Sequence, residues 1–592
     1  MLFPDSHEIA NRLKKYPVLC HFSQSALEEL VSLSETVSIP ANQILFSHND
    51  VSDSVYYLMD GYLECFSSSR FIKKVASIRS GEMVGEMDAI AGKPRGISVR
   101  TMRDSQLLKI NKDIFLDFFK KKPELLMLLA QTMAIRLRNM IMNLKESHYE
   151  YKNIGLISVY PNLSLEQINT FFQPLIDQDG VRIYNKESID STDMDMVPFL
   201  SKCQENLGVN LFFSADGDDH WNNAIFNHVD YVYIITAEGD WDRLDPHLLA
   251  RLGQRPCDLV IMHQHSGPYT DTAKFYFKHP FKRHHHLMDT KASYQRLYRY
   301  MTGQAIGLVI SGGGFRGFAH YGLVKALFEA RVPIDYIGGS SMGAAIGALL
   351  AIHFDWSYFD RTFTQSMNTL KGIKLWRHLT FPLLSILNGS GLTRLIKATF
   401  GQYQIEDLST NFFCVVANLS KSKKDVKKSG ELWEWLRAST AIPGLLPPFE
   451  KNGSVYVDGG ICTNLPVQDM RDELNNVGTI IALDIRIPPF RVNTYHFPPV
   501  LTFKNILAYI LGFSKQRYVF PALFDILMES SSINQYIYDT QGAKKADIMV
   551  APDTSLVSFK QSKTSDSLIL LAYELAQDQL MKQKSVYERW II

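Results

Sequence analysis

The stretch AIGLVISGGGFRGFAH, residues 305–320, places a cluster of glycines directly after an apolar run. Residues 306–310 have the pattern of a buried strand, and Gly312, Gly314 and Gly317 satisfy the spacing G-x-G-x-x-G. Such a loop lets the backbone approach a ligand closely because glycine lacks a Cβ. Three glycines at this spacing recur by chance, so the residues that follow must decide the chemistry.

The first question is whether the loop binds a nucleotide. A dinucleotide site needs an acidic residue at the end of the second strand, about 20 residues further on. Asp335 stands near that distance, but it precedes the strand-like YIGG of residues 336–339. A triphosphate loop needs a Lys-Ser/Thr pair, and none follows Gly317. Both nucleotide interpretations are therefore disfavoured.

Residues 339–343, GSSMG, form G-x-S-x-G between a strand-like run and an apolar helix rich in small residues. This context is typical of a nucleophile elbow, in which Ser341 is the nucleophile and Gly339 and Gly343 leave room for a strained turn. The helix N-terminus behind the serine favours the negative charge of an oxyanion. Taken alone, the motif is explained equally well as a helix N-cap formed by Ser340 or Ser341.

A serine nucleophile needs hydrogen-bond donors for the tetrahedral intermediate. Gly312, Gly313 and Gly314 allow backbone N–H groups to approach a substrate, and Arg316 adds a positive charge nearby. The glycine loop as a whole, through Gly317, is therefore the candidate oxyanion hole.

A serine nucleophile also needs a base. Asp458 ends a strand-like run and precedes Gly459 and Gly460, which clear space around its carboxylate. An aspartate near its ordinary pKa of about 3.9 is a weak base for serine, so the site must raise its basicity. Two histidines are alternatives: His320, which we expect to be a packing residue, and His496, which would complete the α/β-hydrolase order Ser, Asp, His.

Four motifs together resemble the patatin-like phospholipase family: GGGFRG at 312–317, GSSMG at 339–343, LRASTAIPGLLPPF at 436–449 and DGG at 458–460. The resemblance covers residues 304–490. It implies a Ser-Asp catalytic dyad in which Ser341 attacks a fatty-acyl ester, Asp458 accepts its proton and the glycine loop is the oxyanion hole. No metal is implied, and no cofactor is required for the hydrolysis.

The N-terminal region from about residue 40 to 110 has short apolar runs punctuated by turns, which predicts a small β-roll followed by helices. SVYYLMDGYLECF, residues 54–66, predicts a β-hairpin with Asp60-Gly61 at its tip. GEMVGEMDAIAGKPRGISVRT, residues 81–101, is similar to the phosphate-binding cassette of cyclic-nucleotide-binding domains.

That similarity implies that Gly85 and Glu86 hold the ribose and that Arg95, with Gly96, meets the cyclic phosphate of cAMP or cGMP. The chemistry is suitable, because a carboxylate binds a diol and a guanidinium pairs with a phosphate. The cassette departs from the usual pattern at Ile97 and above all at Asp88, whose charge lies close to the expected phosphate. A barrel used for docking or restraint is the alternative.

The middle region, residues 151–300, alternates strand-like runs with amphipathic stretches, which predicts a Rossmann-like α/β layer with a parallel sheet. ADGDDHW, residues 215–221, lacks the ligand order of an EF-hand and is interpreted as a solvated loop. The run from His284 to His286 is not expected to bind metal, because adjacent residues do not converge on one ion.

The whole chain is then a multidomain α/β protein with three predicted domains: 1–150, a cyclic-nucleotide-binding-like β-roll with helices; 151–300, the Rossmann-like region; and 304–592, a patatin-like α/β domain. This order resembles the bacterial relatives of neuropathy target esterase, whose members hydrolyse lysophospholipids and phospholipids at membranes. Residues 374–392 and 503–527 mix large apolar residues with cations, as interfacial segments do, but packing as core helices or a lid is the favoured interpretation. The basic run 421–428 is expected to be a solvated hairpin tip, with contact to anionic headgroups as the alternative.

Composition narrows the function classes. The 592 residues carry 62 Lys+Arg and 61 Asp+Glu, which gives no support to nucleic-acid binding by bulk charge. Six dispersed cysteines without a C-x-x-C pair fit a reducing compartment. No signal pattern or spanning helix is seen, so we expect a cytoplasmic or peripheral membrane protein, with specialised export still open.

Three candidate functions are consistent with the sequence. The favoured one is a serine lipid acyl hydrolase of phospholipase A or lysophospholipase type, regulated by its N-terminal domain. The second is a cyclic-nucleotide sensor or scaffold with a silent hydrolase domain. The third is an esterase or acyl transferase acting on a non-phospholipid ester.

Overall fold

The computed structural model describes the following residues: 6–14, 19, 22–67, 73–102, 104–122, 125–131, 133, 153–160, 163, 166–169, 172, 181–190, 199–200, 203, 209–214, 219–244, 246–252, 257–265, 269–278, 281–485, 500, 502, 507, 544–552 and 565–591. They fall into two compact units: Met1–Thr236 with Asp242–Leu259, and Ala237–Trp241 with Val260–Ile592. The three-domain division expected from the sequence stays a prediction.

The first unit contains the predicted β-roll, built from two four-stranded antiparallel sheets with strand orders β1-β8-β3-β6 and β2-β7-β4-β5. Apolar side chains of both sheets, including Leu58, Leu63, Val99 and Leu107, meet in one buried cluster. The strands are β1 Glu35–Ile39, β2 Ile44–Phe46, β3 Ser54–Asp60, β4 Tyr62–Ser67, β5 Lys73–Arg79, β6 Met83–Val84, β7 Ser98–Thr101 and β8 Ser105–Asn111.

The predicted hairpin at Asp60-Gly61 is wrong. β3 pairs with β6 and β8, whereas β4 pairs with β5 and β7, so the chain passes from one sheet to the other at this dipeptide. Gly61 has a φ of 134°, and a Cβ at this position would lie 2.3 Å from Ser105 Oγ. The glycine is therefore required for a corner between sheets, which local sequence does not distinguish from a hairpin turn.

Helices cover one side of the roll, at Ser6–Leu13, Gln24–Ser32, Glu86–Ala91 and Lys112–Lys120. The last begins where the Asn111 side chain accepts the Asp113 N–H, and it buries Phe115, Phe118 and Phe119 on one face. These rings join the larger core cluster of this unit.

The middle region forms the parallel sheet that the sequence predicts. Within the first unit the order is β10-β11-β9-β12-β13, and the β9, β10, β11 and β12 pairings that the register defines are parallel. The second unit contains the C-terminal end of β13 and the whole of β14. The strands are β9 Asn153–Ser158, β10 Arg182–Tyr184, β11 Asn210–Ser214, β12 Tyr231–Ala237, β13 Cys257–His263 and β14 Arg283–Met288; helices are Glu187–Asp190, Asp219–His228, Pro246–Leu252, Ala273–Lys278 and Lys291–Met301.

An eight-stranded sheet organises the second unit, with the order β19-β20-β17-β16-β15-β21-β22 and β18 paired to β17. β15, β16, β17, β21 and β22 form its parallel part, and their continuous apolar runs fit burial on both faces. The strands are β15 Ile306–Ile310, β16 Tyr336–Ser340, β17 Asn411–Asn418, β18 Lys423–Lys427, β19 Phe449–Lys451, β20 Ser454–Asp458, β21 Thr479–Leu483 and β22 Ile548–Val550.

In this unit helices follow the strands, and the glycine loop and the serine turn lie at the ends of strands. The glycine loop follows β15 and the serine turn follows β16, at the edge where parallel sheets place their sites. The helices are Phe318–Glu329, Met342–Ile352, Trp356–Gly372, Ser390–Phe400, Leu432–Ser439, Val467–Glu473 and Ser565–Lys582.

Candidate active site

Ser341 lies at a strained turn between β16 and the helix Met342–Ile352, with φ 53° and ψ −125°. Such a conformation is uncommon for a residue with a side chain and is found where a surrounding structure enforces it. The flanking glycines provide the room: a Cβ at Gly339 would lie 2.7 Å from the Gly343 backbone, and one at Gly343 would lie 2.3 Å from the Ile310 carbonyl oxygen. The geometry is that of a nucleophile elbow, and Ser341 makes no side-chain cap of its helix.

The hydroxyl of Ser341 donates a hydrogen bond to Asp458 Oδ2 at 2.7 Å. Sheet register creates this contact between residues far apart in the chain, because Ser340 pairs with Val415 and the next residue, Val416, pairs with Asp458. The structure thus brings together the two residues that the sequence predicts as nucleophile and base.

Asp458 is buried, and this determines its acidity. Burial raises the pKa of the carboxyl from its ordinary value to about 6, although hydrogen bonds from the Ser341 hydroxyl and the Gly460 N–H oppose the rise. The Gly460 N–H reaches Asp458 Oδ1 at 2.7 Å, so each carboxylate oxygen has one donor. Gly459 is required by packing, since a Cβ there would lie 2.1 Å from the Val415 carbonyl oxygen.

The glycine loop contacts the serine turn at Gly312, where a Cβ would lie 2.8 Å from the Cβ of Ser341. The Gly312 N–H is donated to the Asn464 side-chain oxygen at 3.1 Å. In the described structure no acceptor takes the N–H of Gly313 or of Gly314, which has a φ of 56°. Two backbone donors are therefore available in the loop beside Ser341.

The end of the loop leads into the helix Phe318–Glu329. Gly314–Gly317 form a single 3-10 turn that includes Arg316, and a Cβ at Gly317 would lie 2.6 Å from Met342 Cγ. The starts of the two helices therefore pack closely, and this contact fixes the loop beside the elbow.

Two residues of the site were missed by sequence reasoning: Ser439, within the quoted stretch 436–449, and Asn464, four residues after DGG. Asn464 accepts the Gly312 N–H and donates from Nδ2 to the Gly312 carbonyl, each at 3.1 Å. Ser439 Oγ accepts the Ser341 N–H at 3.0 Å and donates to the Val415 carbonyl at 2.7 Å. The available signal was their proximity in sequence to Asp458 and to the stretch 436–449.

The remaining candidates lie elsewhere or outside the described residues. His320 is buried, and its Nε2 donates to the Ser311 carbonyl at 2.9 Å, with burial lowering its pKa to about 4. It is a neutral packing residue, as expected. Asp335 forms a bidentate pair with Arg299 at 2.8 and 2.6 Å, so it is not a ribose ligand. His496 lies outside the described residues.

Metal ligation finds no support in the described part of the chain, which contains no group of three or more His, Cys, Asp or Glu side chains suited to an ion. His286 instead donates from Nε2 to the Glu406 carbonyl at 2.9 Å and contacts His263. In the acidic stretch ADGDDHW, residues 215–221, the first four residues lie outside the described range and Asp219 begins a helix.

The nucleotide cassette of the first unit has an inward-facing arginine. Arg95 is 1% exposed and donates to the carbonyls of Gly85, at 3.1 Å, and Ser54, at 2.5 Å. Glu86 is also buried. The Asp88 carboxylate accepts the Gly96 N–H at 3.3 Å, so an amide of the expected phosphate site is occupied by an acidic side chain.

Known families match both regions. The model of patatin-like phospholipases matches residues 308–471, and the model of cyclic nucleotide-binding domains matches residues 36–122. The chain thus carries a patatin-like phospholipase domain after a cyclic nucleotide-binding domain, and its class is that of a lipid ester hydrolase.

Over most of its length the chain is similar to proteins of the NTE (neuropathy target esterase) family. An uncharacterized NTE family protein of Mycobacterium tuberculosis is 25% identical over 572 residues, which cover 94% of this chain and 94% of that protein. Lysophospholipase nte1 of Aspergillus fumigatus is 25% identical over 549 residues, 76% of this chain and 35% of that protein.

Solved structures show weaker likenesses. The catabolite activator protein of Thermus thermophilus is 21% identical with a TM-score of 0.21, covering 22% of this chain and 61% of that chain. A cyclic nucleotide-binding domain from Methylobacillus flagellatus is 21% identical with a TM-score of 0.22, covering 24% and 82%. The β-roll is assigned from its own strands and from the family model.

Proposed function

We propose that the protein hydrolyses fatty-acyl esters of phospholipids or lysophospholipids through a Ser341–Asp458 dyad. The observation that carries the proposal is the 2.7 Å hydrogen bond from the Ser341 hydroxyl to a buried carboxylate whose pKa burial raises to about 6. Such a carboxylate is ionised at neutral pH and is a better base than an exposed aspartate. The raised pKa of Asp458 therefore supports a dyad.

In the first half-reaction, Ser341 Oγ attacks the acyl carbonyl as its proton passes to Asp458 Oδ2. The oxyanion is stabilised by the N–H groups of Gly313 and Gly314, while Gly312 is held by Asn464. The protonated Asp458 then donates to the departing alcohol oxygen, which leaves an acyl-serine.

In the second half-reaction, water attacks the acyl-serine and gives its proton to Asp458. The tetrahedral intermediate collapses, the fatty acid leaves, and the proton returns to Ser341 Oγ. The same two backbone donors serve both halves because the oxyanion forms at the same position.

The test is fatty-acid release from lysophosphatidylcholine and from diacyl phospholipid vesicles by the wild type, Ser341→Ala, Asp458→Asn and His496→Ala. We expect Ser341→Ala to abolish release, Asp458→Asn to reduce it by about 100-fold to 10,000-fold, and His496→Ala to retain it. Loss of release in His496→Ala with unchanged circular dichroism would contradict the dyad. Equal fatty-acid release by Ser341→Ala and the wild type would contradict the proposal that Ser341 hydrolyses the ester.

We propose that the nucleotide cassette is occupied internally and does not take cAMP or cGMP tightly. The Arg95 guanidinium is committed to two backbone carbonyls, and Asp88 holds the Gly96 N–H with a negative charge. The residues therefore do not fit a cyclic phosphate in this arrangement, and the hydrolytic steps need no nucleotide.

A further inference from the structure

One segment of the catalytic domain has an unusual charge. Between residues 361 and 405 the chain has no Asp or Glu, although the whole chain has nearly as many acidic as basic residues. The same segment carries six cations, none of which forms an ion pair in the described structure: Arg361, Lys371, Lys374, Arg377, Arg394 and Lys397. Residues 361–405, here called the cationic segment, therefore carry positive charge without acidic residues of their own.

Large apolar side chains within the cationic segment face solvent. Trp376 is 67% exposed, Phe381 84%, Leu383 82% and Leu384 68%, and Leu379 is exposed as well. A group of exposed large apolar side chains such as this marks a site that contacts a protein, a membrane or a ligand. Residues 376–384, here called the apolar tip, therefore do not pack as core helices, so the core-helix interpretation of the segment 374–392 is wrong for these residues.

The apolar tip is held on a fixed base. The Thr380 N–H donates to the Ile386 carbonyl at 3.0 Å, and the Asn388 N–H donates to the His378 carbonyl at 2.8 Å. The backbone N–H of Ile386 then reaches the Gly444 carbonyl at 2.9 Å. The chain thus presents these apolar side chains on an ordered turn.

Both parts of the surface connect to the candidate active site. Gly444 follows the helix Leu432–Ser439, whose last residue accepts the Ser341 N–H. On the other side, Lys371 Nζ lies 4.5 Å from the ring centre of Phe318, the first helical residue after the glycine loop. A bilayer bound at this surface would be close to the nucleophile.

We propose that the apolar tip and the cationic segment form the surface by which the protein docks on anionic phospholipid membranes. The tip inserts among the acyl chains and the cations meet the lipid phosphates, as interfacial elements do. The inference rests on the proposed lipid hydrolase function and names the element that delivers the bilayer to Ser341.

The other basic run of the domain differs from the cationic segment because it carries ion pairs. Lys421–Lys428 lies at a hairpin of β17 and β18, as predicted, but four of its five lysines pair with carboxylates. Lys424 pairs with Asp469 at 2.6 Å and Lys428 with Glu473 at 3.0 Å. Paired cations attract a membrane weakly, so this hairpin is not the docking surface.

The first experiment measures flotation with phosphatidylcholine vesicles that contain phosphatidylglycerol, using the full chain with Ser341→Ala so that the lipid stays intact. Adding Phe381→Ser, Leu383→Ser and Leu384→Ser should lower vesicle partitioning roughly tenfold or more. The matched control adds Leu570→Ser, Leu571→Ser and Met581→Ser, which are exposed apolar residues of the helix Ser565–Lys582, and should bind as the parent does. Equal binding by the tip variant and the parent would overturn the proposal.

The single variant Phe381→Ser guards against misfolding of the triple variant, because a side chain 84% exposed contributes little to stability. It should weaken binding by several fold, and unchanged binding would count against the proposal. Tip-dependent dimerisation with vesicle binding retained would show that a second copy occupies the surface instead.

The role of the cations is tested separately, by vesicle binding of variants that lack them. Lys371→Gln, Lys374→Gln and Arg377→Gln together should lower partitioning to the anionic vesicles by roughly tenfold or more and leave binding to pure phosphatidylcholine nearly unchanged. An equal effect on both vesicle types would contradict the role of the cations. Hydrolysis of a soluble short-chain ester by wild type and Ser341→Ala tests the proposed function separately, because flotation needs no catalysis.

Discussion

Asn464 holds both backbone groups of Gly312, since its Oδ1 accepts the N–H and its Nδ2 donates to the carbonyl, each at 3.1 Å. The pair fixes the first glycine of the loop whose next two N–H groups are the proposed oxyanion donors. It also connects the loop to the segment that carries Asp458, which lies six residues earlier in the chain.

Asn464→Asp should therefore lower kcat, because it replaces the Nδ2 donor with an oxygen that faces the Gly312 carbonyl. We expect a loss of about tenfold to a hundredfold with little change in KM, since displaced donors act mainly on the transition state. The measurement is steady-state kinetics together with the rate at which a fluorophosphonate labels Ser341. A lower Tm with unchanged kcat and labelling would show a purely structural role.

The acidity of Asp458 predicts the pH dependence of hydrolysis. Because the carboxylate form is the proposed base and burial raises the pKa of Asp458 to about 6, activity should rise through an acid limb near that pH and then level off. The measurement is kcat/KM against pH on a soluble ester, with no vesicle charge to titrate. An acid limb near pH 4 would contradict the raised pKa.

The same shift predicts a stability gain in Asp458→Asn. An acid whose pKa rises from about 3.9 unfolded to about 6 folded loses folding stability as the pH increases through that window. Asparagine has no such loss, so the variant should be more stable at neutral pH, on the order of 2 kcal/mol, and similar to wild type below pH 4. Denaturant unfolding at both pH values checks this; a variant less stable than wild type at neutral pH would refute it.

Ser439 and its neighbour in space, Ser340, form a matched pair of buried serines. Ser439→Ala leaves the Ser341 N–H without its acceptor and should destabilise the protein by about 1–3 kcal/mol while lowering kcat. Ser340 Oγ has no partner in the described structure, so Ser340→Ala should cost little or stabilise the protein. Thermal unfolding and kinetics of both variants compare them, and equal effects would show that the Ser439 contact has no special role.

Asp88 predicts the behaviour of the nucleotide cassette. Asp88→Ala frees the Gly96 N–H and removes a negative charge near Arg95, so it should raise the affinity for cAMP or cGMP by at least about tenfold. Isothermal titration of the full chain with each nucleotide measures it, with Asp88→Ala/Arg95→Ala as the control that loses the gain. Tight binding by the wild type would contradict an internally occupied cassette.

Much of the site could be predicted because its parts are local motifs. The elbow requires residues without a Cβ on both sides of the serine, and Gly339 and Gly343 meet this requirement. The two family models match the regions that contain the glycine loop and the cassette. The hairpin at Asp60-Gly61 could not be predicted correctly, since strand pairing is decided by distant strands such as β8. The side-chain amide of Asn464 acts across 152 residues, and nothing in its own neighbourhood reveals its partner.

The sequence by itself predicted the β-roll, the parallel sheets and a patatin-like α/β region in this order, and it predicted Ser341 and Asp458 as nucleophile and base. These properties follow from periodicity and from short motifs, which are physical requirements of neighbouring residues. Only the tertiary structure decided that the two side chains meet at 2.7 Å, that Asp458 is buried enough to become a stronger base, and that residues 376–384 face solvent. Burial and distance depend on sheet register and on packing between distant segments, and no local pattern specifies them.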